Sequence, residues 1–166
     1  MLGLPKDKFL ILSVSNNRPW KNLEIVARTM KKLGDNYLLV RIGNDIGTGI
    51  SFRNVDSVTL NMIYNASDIL LFPSLEEGFG FPLIEAMKTG LPAVVSDIEV
   101  FHEVADNAVE YINPLNIDSI VTGIKRAQDL KEKLISAGLL RAKIFSEETY
   151  KKELLSFYKK VTEDVT

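Results

Sequence analysis

Residues 73–87 read Pro-Ser-Leu-Glu-Glu-Gly-Phe-Gly-Phe-Pro-Leu-Ile-Glu-Ala-Met, and their types and spacing suit an anionic ligand. Gly78 and Gly80 allow positive φ and a close backbone approach. Pro82 fits the first turn of a helix, which leaves the amides of Leu83, Ile84 and Glu85 without intrahelical partners. Those amides, with the positive end of the helix dipole, make a site for phosphate. Glu77 enters on the loop and Glu85 sits one turn into the helix, with seven residues between them, so two carboxylates can flank one ligand. Taken singly, each feature has a plainer reading. Glu85 is then a solvated residue that favours the dipole, Glu76-Glu77 a charged loop tip, and Phe79 and Phe81 core anchors.

A second candidate segment is Ser15-Asn16-Asn17-Arg18-Pro19-Trp20-Lys21-Asn22. Lys21 stands at a helix start, where a cation is unfavourable unless an anion is near. Arg18 and Lys21 could neutralise a diphosphate, or could form a solvated basic loop. Gly43-Asn44-Asp45 either approaches a ligand or only ends a strand. Gly47-Thr48-Gly49 lacks the third glycine of a dinucleotide fingerprint, because Phe52 takes its place. His102 is the only histidine, with no chemical role assigned to it, and Glu103 beside it contacts an acceptor or caps a turn. No Asp-x-Asp pair and no histidine cluster occurs, so no metal and no cofactor is implied.

The elements that must position these residues follow from hydrophobic patterning. Phe9–Val14, Tyr37–Ile42, Ile69–Phe72 and Pro92–Ser96 are short apolar runs, as strands buried on both faces should be. Val55–Leu60 reads as a weaker strand and Ala108–Ile112 as a last one. Helices are expected over 22–33, 62–66, 82–89, 99–104, 119–130, 131–143 and 146–161. On the last of these, Lys151, Lys152, Lys159 and Lys160 lie opposite Tyr150, Leu154, Phe157 and Val161, a solvated face against a core face. Alternation of apolar strands with helices predicts an α/β fold, a doubly wound parallel sheet. Ligands of such sheets sit outside the carboxyl ends of the strands, where both candidate segments fall.

Composition agrees with this class. The chain has 166 residues, 46% of them hydrophobic and 25% charged, which suits a single globular domain and excludes a disordered one. A net charge of -2 argues against a nucleic-acid partner. With no cysteine, a disulfide scaffold, thiol catalysis and a thiolate zinc site are excluded. No apolar run reaches the ~18 residues of a membrane span, and the first residues carry no secretory pattern. A cytoplasmic location is expected.

Pro-Ser-x-x-Glu-Gly-Phe-Gly-x-Pro-x-x-Glu-Ala-Met over residues 73–87 resembles the signature of retaining glycosyltransferases of family four (glycosyltransferase group 1). The likeness continues through Lys88–Ser96, Glu103–Ala108, Asn113–Asn116 and the Phe145-Ser146-Glu147 helix start. It implies a Rossmann-like domain, the carboxy-terminal half of a two-domain GT-B architecture. That half binds a nucleotide-diphospho-sugar from which a hexose passes to a glycan or lipid-linked acceptor. By motif position Glu77 holds the donor sugar, Glu85 the ribose hydroxyls and Lys21 the phosphates. Arg18, Ser15, Gly43, Gly78, Phe79, Gly80, Phe81 and Leu83 then surround the donor. Many members carry Gly-Arg where this chain has Ser15-Asn16, and the stretch from Gly43 to Val55 is shorter than usual, as if a helix were missing.

The same likeness implies that residues 1–8 are a remnant of the interdomain connector and 9–166 the donor domain. An amino-terminal acceptor domain is then the missing partner, with peripheral membrane association through it. The chain alone is expected to bind donor without turning over. The competing reading is a stand-alone nucleotide-binding or regulatory module without transfer. A receiver-type signalling domain is disfavoured, since Asn16-Asn17 and Pro73-Ser74 stand where its acidic residues belong.

Overall fold

The structure is a computed structural model that describes residues 2–163. Its strands are β1 (Phe9–Val14), β2 (Tyr37–Ile42), β3 (Ile50–Phe52), β4 (Ile69–Phe72), β5 (Ala93–Ser96) and β6 (Glu110–Ile112). Its helices are α1 (Leu23–Leu33), α2 (Ser57–Ala66), α3 (Phe81–Thr89), α4 (Glu99–Ala105), α5 (Ile117–Asp129), α6 (Lys131–Ala142) and α7 (Glu147–Glu163). The strands form one parallel sheet in the order β3-β2-β1-β4-β5-β6. Both faces are covered, which explains why the strands are predominantly apolar. Leu10, Leu12, Val40, Leu70, Phe72 and Val95 pack under α2, α3 and α4, while Ile11, Leu39, Leu71 and Val94 meet α1 and α5 on the other face.

Two expectations are corrected. Val55–Leu60 is not a strand. The Asp56 carboxylate accepts the Thr59 amide at 2.7 Å, which caps α2 and turns these residues into its first turns. The edge strand is instead Ile50–Phe52, paired with β2 through Val40↔Ile50 and Ile42↔Phe52. No helix lies between β2 and β3, although parallel neighbours ordinarily need a crossover of a dozen or more residues. The short stretch seen in the sequence is therefore a connection between parallel neighbours that contains no helix.

The second correction concerns α7. Tyr150, Leu154, Phe157 and Val161 are exposed by 38–65%, so its apolar stripe meets no core among the described residues. Periodicity marks a face that favours burial and does not specify what buries it.

Candidate functional site

The strand order reverses between β1 and β4, which opens the crevice where doubly wound sheets bind ligands. The loops leaving these two strands are tied together. Leu75 donates its amide to the Trp20 carbonyl at 2.7 Å. The Asn22 side chain donates to the carbonyls of Pro73 (3.1 Å) and Pro114 (2.8 Å). Asn22 adopts φ 57, an αL junction between the 3-10 turn Pro19–Lys21 and α1. This bend carries Lys21 off the axis of α1 and aims it at the other loop. Its Nζ lies 2.5 Å from Glu77 Oε1 and 5.5 Å from the centre of the Phe72 ring. The two side chains are only 14% and 9% exposed. The anion that a lysine at a helix start calls for is thus supplied by the chain itself.

The glycine loop departs in detail from its sequence reading. Gly80 takes φ 88 as the cap of α3, and a Cβ there would stand 2.9 Å from Phe101 Cε1. Gly78 does not need positive φ. Because α3 begins at Phe81, the amides of Leu83 and Ile84 already donate to the Gly80 carbonyl, at 2.9 and 3.4 Å. The Leu83 amide is therefore not free for an anion. The open amides lie just upstream: those of Gly78, Phe79 and Gly80 donate to no protein acceptor among the described residues. The amides open to a ligand on this element therefore lie upstream of those that the motif spacing suggested.

Lys21, Ser15 and Gly43 share one open cleft of about 590 Å³, closed by Asn44, Arg53 and Pro82. Arg53 escaped the sequence reading because it follows a strand that was misplaced. Arg18 does not line the cleft; its guanidinium stacks over the Trp20 ring at 5.6 Å. Behind the cleft stands Arg41, fully buried near the end of β2. Its Nε donates to Asn44 O (2.8 Å), Nη1 to Ser13 Oγ (3.3 Å) and Ser15 Oγ (3.2 Å). Its Nη2 donates to Ser15 O (2.9 Å) and Asn17 Oδ1 (3.1 Å). All five N–H groups are satisfied by neutral acceptors, and among the described residues no carboxylate pairs with it. Burial lowers its pKa, yet an arginine remains charged. Gly43 is required here: a Cβ would meet Ser15 O at 2.3 Å and Arg41 Nη2 at 2.8 Å.

Glu85 does not line the Lys21 cleft; it stands on α3 beside a groove lined by Phe79, Phe81, Phe145 and Tyr150. Its Oε2 accepts the Tyr64 hydroxyl at 2.6 Å. Tyr64 is buried, and that burial, reinforced by the Glu85 carboxylate, pushes its pKa far above the ordinary tyrosine value. Phe79 and Phe81 are not core anchors. They are 41% and 67% exposed and meet edge to face at 5.2 Å. His102 lies within 2.6 Å of Asp97 and stacks on Tyr111, whose pKa rises to about 12 through burial and then through Asp106 and Asp97. The Glu103 carbonyl, not its carboxylate, accepts from Arg141 Nη2 at 2.5 Å.

A parallel sheet reversing at β1/β4, with a glycine loop and a buried Lys–Glu pair at that seam, defines a Rossmann-like domain of the GT-B glycosyltransferase type. Residues 1–141 match the profile of the glycosyl transferases group 1, and the chain belongs to that family. It is 33% identical over 137 residues to the O-antigen chain mannosyltransferase RfbU of Salmonella typhimurium, covering 73% of this chain and 39% of that protein. It is 30% identical over 144 residues to an uncharacterized glycosyltransferase of Methanocaldococcus jannaschii, covering 75% of this chain and 37% of that protein. The chain thus spans about two-fifths of these relatives. Its fold matches that of about half of sucrose-phosphate synthase from Thermosynechococcus elongatus, with TM-score 0.86 and 19% identity over 98% of this chain and 48% of the other.

Proposed function

We propose that this chain is the donor-binding part of a retaining hexosyltransferase, and that its ligand is a nucleotide-diphospho-sugar. The observation that carries the reading is the Lys21–Glu77 pair at the β1/β4 seam, flanked by the open amides of Gly78, Phe79 and Gly80. A diphosphate seated there accepts hydrogen bonds from those amides and takes its countercharge from Lys21. Glu77, released from the lysine, is then placed to accept hydroxyl hydrogen bonds from the donor sugar. Glu85, oriented by Tyr64, is the candidate for the ribose hydroxyls. Charge developing on the leaving diphosphate is stabilised by the same fixed donors, so the chemistry rests on positioning and electrostatics rather than on a protein acid.

The acceptor belongs to residues outside this chain, in keeping with the relatives' greater length. Mannose is the first sugar to test, because it appears in the names of several relatives. The test is calorimetric titration with UDP, GDP, ADP and their mannose and glucose esters, using Lys21→Ala and Glu85→Ala as controls. One nucleotide is expected to bind, and both substitutions are expected to weaken it. A folded chain that binds none of them overturns the reading.

A further inference from the structure

Three cations border the cleft, and they are not equivalent. Lys21 is neutralised by Glu77. Arg53 is exposed, so water and salt screen it. Arg41 is fully buried and has no acidic partner among the described residues. Its five hydrogen bonds reach strand β1 and the two loops that form the cleft wall, through Ser13, Ser15, Asn17 and Asn44. A buried cation held only by neutral groups projects its field through a medium of low dielectric, and an anion in the adjoining cleft is its missing counterion. With every N–H already used, it acts on a ligand through the loops and through its charge, not by direct contact.

We propose that Arg41 is a positioning residue for a diphosphate in this cleft, ordering the Ser15–Asn17 and Asn44 loops and supplying the uncompensated charge behind them. The inference rests on the phosphate part of the function proposed above, and names a residue that the motif does not contain. Three probes separate its parts: inorganic pyrophosphate, the nucleoside diphosphates, and the corresponding uncharged nucleosides. Arg41→Gln removes the charge and Arg41→Met removes all polarity, so a folded neutral variant is available if either one melts without cooperativity. Arg41→Lys keeps the charge and loses the fork.

The neutral variants are expected to weaken pyrophosphate and nucleoside diphosphate about tenfold, and to leave nucleoside binding within about twofold. Arg41→Lys is expected to recover most of the loss. Equal weakening of all three probes, with no recovery in the lysine variant, means that Arg41 is only scaffolding and overturns the inference. So does unchanged pyrophosphate affinity. If pyrophosphate binds and depends on Arg41 while no nucleoside diphosphate binds better than pyrophosphate, Arg41 keeps its role and the donor reading falls. If the unsubstituted chain binds neither, both are overturned.

Discussion

The ammonium of Lys21 and the carboxylate of Glu77 meet at 2.5 Å although 56 residues separate them in the chain. Each is the other's partner, and both side chains are largely buried at the edge of an open cleft. In the proposed donor complex, a phosphate that recruits Lys21 competes with Glu77 and frees its carboxylate for the sugar, which would couple phosphate capture to sugar recognition.

The competition has a measurable sign. Glu77→Gln keeps the shape and removes the charge that holds Lys21. Calorimetry is expected to show pyrophosphate binding severalfold more tightly, about 3–10-fold for the loss of one nearby competing charge. The same variant should lose the preference for a nucleotide-sugar over the bare nucleoside diphosphate. Weaker pyrophosphate binding in this variant contradicts the competition.

Tyr64 gives a pH signature. Its folded pKa is raised, so it favours the protonated form, and the stability it contributes is complete below the unfolded value of 10.0. That stability is lost as pH rises above 10.0 toward the higher folded value, not on acidification. Of the five tyrosines, Tyr64 should show no tyrosinate absorbance until the chain unfolds. Tyr64→Phe should flatten the alkaline fall in chemical-denaturation midpoint, and at pH 7 should cost about 1–2 kcal/mol for the hydrogen bond to Glu85.

Gly80→Ala tests the start of α3. A side chain at φ 88 is strained, and its Cβ would press on Phe101. A loss of about 1–2 kcal/mol from the left-handed conformation alone is expected in urea unfolding, with more from the contact. Ligand affinity should fall further than stability, because relieving the strain shifts the loop on which the open amides of Gly78, Phe79 and Gly80 stand.

The purified chain is expected to bind donor without multiple turnovers of sugar transfer. Following release of nucleoside diphosphate in the presence of candidate acceptors checks this. Sustained release above the rate of spontaneous hydrolysis shows that the described residues suffice for chemistry.

Much of this was legible in the sequence, for identifiable reasons. β1, β2, β4 and β5 are buried on both faces, so their residues are mostly apolar and carry a strong signal. The Gly-Phe-Gly-Phe-Pro run announces a turn into a helix because glycine and proline restrict the backbone most. Val55–Leu60 is ambiguous in sequence, because Val55, Val58 and Leu60 fit neither period cleanly and the Asp56 cap weighs only one residue in favour of a helix. Arg41 was invisible for a different reason. In Tyr-Leu-Leu-Val-Arg-Ile it is one polar letter in a strand, and only the fold brings Ser13, Ser15, Asn17 and Asn44 around it. Tyr64 likewise gains meaning from Glu85, 21 residues away.

The reversal of strand order between β1 and β4 also bears on how the molecule melts. The two tied loops belong to opposite halves of the sheet, and neither half alone contains the site. A ligand gripping both loops bridges that seam and stabilises only the fully assembled sheet, by about 2.7 kcal/mol at a hundredfold excess over its dissociation constant. Its thermal shift should therefore appear in the transition of the whole domain and be absent from local fraying of α7, which lies outside the bridge. The seam makes occupancy a reporter of global cooperativity.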